Sequence, residues 1–171
     1  DLENRMQEIQ NSLSSVSPPP PPALSSSKGV SASEGSPPRV LVAVGRSHEP
    51  GASGEIYVSG RDGFYDDLIR LAGGQNAYGD ETLKFPALSA EGIVQLDPDV
   101  IIEMIPDLGP EMDMEGLLAR WHDIPGLQAT RSGRVHILGG DHVVVPGPRF
   151  VTLLEEMAAL IHGIGMLENG E

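Results

Sequence analysis

The chain has 171 residues, no cysteine and a formal net charge of −14. That balance excludes a surface built to track phosphates or anionic lipid, because both need clustered Lys and Arg. The missing cysteines exclude disulfides, thiolate metal sites and cysteine nucleophiles. In residues 1–38 four acids (Asp1, Glu3, Glu8, Glu34) face Arg5 and Lys28, so −2 belongs there and −12 to the rest. No run reaches the length of a membrane span, and no signal peptide is visible. The sequence begins without Met and inside a helical pattern, so its start reads as a fragment boundary.

In chain order, Leu2, Met6, Ile9, Leu13 and Val16 make a helical apolar stripe over residues 1–16. Residues 17–38 are rich in Pro, Ser and Gly, with five consecutive prolines, and predict a semi-rigid start followed by a flexible linker. Residues 40–44, VLVAV, form a continuous apolar run, the pattern of a strand buried on both faces.

Residues 56–76, IYVSGRDGFYDDLIRLAGGQN, compress a strand, a turn and an amphipathic helix into one unit. Phe64, Leu68, Leu71 and Ala72 share a helical face, Asp66 and Asp67 complement the first turn, and Gly73 suits a left-handed cap. The loop after this strand is expected at the ligand-bearing edge of an α/β sheet. Ser89 is a plausible N-cap for a short helix ending near Leu96. VIIEMI over 100–105 is a second buried-type strand, 114–121 a helix, and VHIL over 135–138 the last strand. Pro148 suits the first turn of a final helix whose face holds Phe150, Leu154, Met157, Ala158 and Ile161. Strands alternating with helices predict an α/β layer with a largely parallel sheet.

The ordered set RVLVAVGR, IYVSGRDGFYDDLIRLAGGQNAY, FPALSAEGIVQLDPDVIIE and WHDIPGLQATRSGRVHILGGDHVVVPGPRFVTLLEEMAALIHG covers nearly everything from Arg39 to Gly163. It resembles the C-terminal lobe of the periplasmic solute-binding proteins that serve metal-chelate ABC importers, the cobalamin and ferric-siderophore receptors with a helical backbone. The resemblance implies a three-layer α/β lobe over 39–165, a largely parallel central sheet flanked by helices, and a tail over 166–171. Residues 1–16 then resemble the end of the bridging helix between two lobes, and 17–38 a Pro-rich linker. The N-terminal lobe would be missing from this sequence.

The same resemblance assigns candidate residues. Tyr57 and Phe85 match positions where relatives offer an aromatic to the ligand, and large flat chelates bury apolar faces well against rings. Tyr57 reads equally as a core tyrosine, and Phe85 as a loop anchor. Asp141 and His142 follow the last strand, in a loop that contacts ligand in relatives; a solvated turn is the plain alternative. Glu91 matches a glutamate that pairs with arginines on the membrane permease, a directional contact suited to docking. By itself it reads as an ordinary exposed helix residue. The histidines show no metal-ligand spacing, so neither metal nor cofactor is assigned, and the iron chelate or corrinoid is the cargo. Trp121 is expected to cover the core.

The implied function is the substrate-binding component of an importer. Its partners are a metal-chelate ligand, an inner-membrane ABC permease and the missing lobe, with no nucleic acid, and its location is periplasmic or anchored at the cell surface. Two alternatives stay open. One is a degenerate, interaction-only lobe on a proline-rich stalk. The other is a nucleotide-binding α/β enzyme, against which stand the absent G-x-G-x-x-G, P-loop and G-x-S-x-G signatures.

Overall fold

A computed structural model describes residues 36–46, 54–61, 63–143 and 147–163. The helix expected over 1–16, nearly all of the linker and the tail lie outside the described residues.

Six strands form one sheet among the described residues: β1 (Arg39–Arg46), β2 (Ile56–Val58), β3 (Gln75–Asn76), β4 (Ala87–Leu88), β5 (Val100–Ile105) and β6 (Val135–Gly139). Their order is β4-β2-β1-β5-β6, with β3 also paired to β1. β1, β5 and β6 run parallel, Val40 opposite Val100 and Ile101 opposite Val135. β2 runs antiparallel to β1, and β4 antiparallel to β2. The sheet is therefore mixed, with β2 alone running against the other strands; nine residues separate Arg46 from Ile56, fewer than the dozen or so that a parallel crossover needs. One expectation changes as a result. The loop after β2 runs back toward the start of β1, where Ser59 N donates to Val42 O over 2.8 Å. The edge formed by the C-terminal ends of β1, β5 and β6 lies the other way.

Among the described residues five α-helices cover the two faces: α1 (Phe64–Leu71), α2 (Ala90–Leu96), α3 (Met114–His122), α4 (Gln128–Arg131) and α5 (Phe150–His162). The alternation of side chains along β1 and β5 divides the core in two. Val40, Val42 and Ile102 pack with Leu68 of α1 and Leu154 and Ile161 of α5. Leu41, Ala43 and Ile101 pack with Ile93 of α2, Trp121 of α3 and Leu127. Both faces of these strands are buried, which explains their unbroken apolar sequences. α5 starts at Phe150, so Pro148 precedes it instead of standing within its first turn.

Local chemistry fixes the joints. Ser89 Oγ accepts from Gly92 N over 3.2 Å and caps α2. Gly73 follows α1 with φ +82°, a left-handed conformation that glycine adopts without steric cost. His162 of α5 bonds the Ala72 carbonyl over 2.7 Å, satisfying one of the free carbonyls at the end of α1. Buried Asn76 donates to the carbonyls of Ser59 and Gly60 and to Asp66 Oδ1, each over 3.2 Å, and so ties β3 to the turn that launches α1.

Candidate functional site

Register places the candidate aromatics. Ile56 and Val58 pack in the α2–α3 core, so Tyr57 between them points to the opposite face. It lies opposite Gly45 on one side and Ala87 on the other, and is 40% exposed. Phe85 is two residues before Ala87 and is 53% exposed. Its segment is held against β2 by Val58 N to Pro86 O (3.0 Å) and Gly60 N to Lys84 O (2.7 Å). A side chain at Gly60 would overlap the Leu83 carbonyl, so the close approach requires glycine there. Tyr57 and Phe85 are thus brought to neighbouring segments at one flank of the sheet, both offering ring surface to solvent. Neither is a core residue.

Asp141 and His142 occupy a single 3-10 turn directly after β6. Asp141 is exposed and accepts from Arg149 Nη1 over 2.9 and 3.1 Å. His142 is half-buried, with Nε2 2.9 Å from Glu156 Oε2 of α5. Both side chains are therefore oriented by partners from the start of α5 and its second turn. The two groups of candidates are not adjacent: β1 and β5 separate β2 from β6, a span of three strand spacings, roughly 14 Å. Tyr57, near the end of β1, and Asp141, beyond the end of β6, bracket the C-terminal edge of the parallel strands. In open α/β sheets that edge is where ligands bind.

Glu91 stands at the β4 flank of the same end of the sheet, since β4 pairs through Leu88 with Ile56, itself opposite Arg46. It is exposed in the first turn of α2, just beyond β4. An apolar hollow beside it is lined by Val94, Ile124 and Pro125.

A third constellation was not apparent from sequence. Glu103 of β5 is 4% exposed. Its Oε1 accepts from Arg46 Nε over 3.1 Å and its Oε2 from Trp121 Nε1 over 2.7 Å. The Arg46 guanidinium stacks 4.3 Å above the Trp121 ring. Trp121 covers the core as expected, with the added role of holding this carboxylate. The available signal was Glu103 itself, the single charge in the apolar run VIIEMI, since a buried carboxylate demands partners.

Among the described residues no group of three His, Asp or Glu converges in a way that would hold a metal ion, and no helix is long and apolar enough to cross a membrane.

The sequence profile of the periplasmic binding protein family matches residues 1–141. A cobalamin-binding protein of Halobacterium salinarum is 31% identical over 111 residues, which is 64% of this chain and 30% of that protein. An uncharacterized ABC transporter substrate-binding lipoprotein of Bacillus subtilis is 28% identical over 115 residues, 63% of this chain and 32% of that protein. Among solved structures, a periplasmic heme-binding protein of Roseiflexus sp. RS-1 superposes with a TM-score of 0.62 at 25% identity, over 94% of this chain and 52% of that one. The periplasmic vitamin B12 binding protein of Vibrio cholerae gives 0.63 at 18% identity, over 94% of this chain and 50% of that one. The chain spans about a third of the length of these curated relatives and about half of the solved chains. A profile match over most of the chain, together with the same fold, means that it belongs to the periplasmic binding protein family.

Proposed function

We propose that this chain is the C-terminal lobe of a substrate-binding protein that delivers a corrinoid or iron chelate to an ABC permease, outside the cytoplasm. The observation that carries the reading is exposed Tyr57 near the end of β1 facing Asp141 and His142 beyond the end of β6 across one sheet edge, with exposed Phe85, opposite Ser59, continuing the apolar surface down the Tyr57 flank. The aromatics supply apolar area for a macrocycle or a chelate shell. The polar flank supplies a carboxylate and an imidazole for amides or hydroxyls at its rim. A separation of roughly 14 Å is too wide for a small metabolite to bridge and suits a macrocyclic or chelate-sized ligand. The sequence likeness to a cobalamin-binding protein favours a corrinoid among these.

A second lobe, preceding this one, would close the cleft, and residues 1–16 would supply the end of the helix that joins the two. Glu91 would meet an arginine of the permease. No step of this account requires catalysis.

Equilibrium dialysis of the chain against cyanocobalamin, a ferric hydroxamate and heme tests the reading. Saturable uptake of one of them, reduced in Tyr57→Ala and Phe85→Ala, is the expected result. Equal uptake by wild type and both variants would refute the assigned surface.

A further inference from the structure

The turn that carries Asp141 and His142 has three residues and a 3-10 course. The hydrogen-bond geometry of such a turn is poor, so contacts from outside must fix its shape. At its entry Gly140, with φ +111°, donates from N to Ile105 O over 3.3 Å. In its middle His142 meets Glu156 of α5 over 2.9 Å. The Arg149–Asp141 pair is exposed on both sides and adds little. The exit is held from a different helix. The Tyr65 hydroxyl, in the first turn of α1, donates to the Val143 carbonyl over 2.5 Å.

That bond is buried at both ends. Tyr65 is 6% exposed and Val143 is fully covered. A backbone carbonyl withdrawn from water needs a donor, and a buried phenol needs an acceptor. Burial also pushes the Tyr65 phenol above its ordinary pKa of 10.0, so the group stays protonated and keeps donating. Its ring packs in the core between α1 and α5, a task that phenylalanine would perform equally. The hydroxyl is the part that reaches the turn.

The same turn of α1 reaches the other flank. Asp66, the next residue, accepts from Asn76 Nδ2, which also donates to the Ser59 and Gly60 carbonyls. Gly60 N in turn holds the Lys84 carbonyl, one residue before Phe85. Neighbouring residues of one helix are thus tied to the aromatic flank and to the polar flank.

We propose that Tyr65 is a positioning residue, whose hydroxyl fixes the Asp141–His142 turn on α1 and so sets the polar flank at its distance from Tyr57 and Phe85. The consequence for ligand binding rests on the reading of this edge as the binding surface; the hold on the turn does not.

Amide hydrogen exchange of the purified chain tests the hold. Tyr65→Phe keeps the ring and removes only the hydroxyl. Leu68→Val, further along α1 in the same core, lowers stability without touching the turn and serves as the control. In Tyr65→Phe the amides of residues 141–143 are expected to exchange about tenfold faster relative to those of β5. In Leu68→Val that ratio stays at the wild-type value. The three proteins are then titrated with cyanocobalamin below the Tm of both variants. Affinity about tenfold weaker in Tyr65→Phe and unchanged in Leu68→Val is the expected result. An unchanged exchange ratio in Tyr65→Phe would overturn the proposal, and so would a loosened turn with wild-type affinity. A wild type that takes up no cyanocobalamin counts against the ligand reading alone, and the exchange ratio then decides whether Tyr65 holds the turn.

Discussion

The indole N–H of Trp121 donates to Glu103 Oε2 over 2.7 Å, and this bond joins α3 to the centre of the sheet. The other carboxylate oxygen receives Arg46 at the end of β1. One buried charge thereby connects β1, β5 and α3 immediately beneath the proposed ligand edge.

Removing one member of such a group leaves the others buried without partners. Glu103→Ala is expected to destabilise the chain by about 3–5 kcal/mol, because the Arg46 charge is then uncompensated. The double variant Arg46→Met with Glu103→Met is expected to lose clearly less, since paired removal leaves no orphan charge. Urea unfolding of the single and double variants measures the difference.

The Phe85 segment depends on Gly60. Gly60→Ala places a methyl group against the Leu83 carbonyl and is expected to displace residues 83–86 from β2. The Gly60 N to Lys84 O bond is then lost, with a cost of about 1–3 kcal/mol. Chelate affinity should fall to about that of Phe85→Ala. A variant with wild-type affinity and Tm would show that the close approach is not needed to hold the ring.

Glu91 is exposed in the first turn of α2. Glu91→Lys in the complete receptor is expected to leave ligand affinity and Tm unchanged while abolishing stimulation of the permease ATPase. Loss of ligand affinity instead would place Glu91 in the binding cleft.

His136 on β6 has its pKa lowered from the ordinary 6.5, first by burial and then by the nearby Arg134 charge. A histidine whose folded pKa is depressed takes up protons in the unfolded state first. Its contribution to stability is complete above the ordinary value and falls as pH drops below 6.5 toward the folded pKa. Unfolding midpoints measured from about pH 7 to about pH 5 should decline more steeply in the wild type than in His136→Gln. Parallel curves would contradict the assignment.

Most of the layered fold was legible in the sequence because its physical causes are local. VLVAV and VIIEMI are unbroken because both faces of β1 and β5 are covered, and Leu68 and Ala72 repeat at helical spacing because α1 buries one side. β3 and β4 span two residues each, too short to leave a periodic signature. The antiparallel course of β2 was hidden for a similar reason: three residues, Ile56–Val58, carry alternation but no direction. Candidate positions at Tyr57, Phe85, Asp141 and Glu91 were readable from the ordered family segments, and the structure adds their exposure and their separation. Arg46, Glu103 and Trp121 stand apart in sequence; the pairing of β1 with β5 brings the first two together, and the packing of α3 on the sheet adds the third.

The central claim is that one ligand lies across the edge between Tyr57 and Asp141. The most direct measurement is a titration of the isotopically labelled chain with cyanocobalamin, followed by the backbone amide resonances. The account predicts saturable shifts at Tyr57, Phe85, Asp141 and His142, with α2 near Glu91 unmoved. Saturable shifts confined to other residues, or none at any of these four, would contradict it.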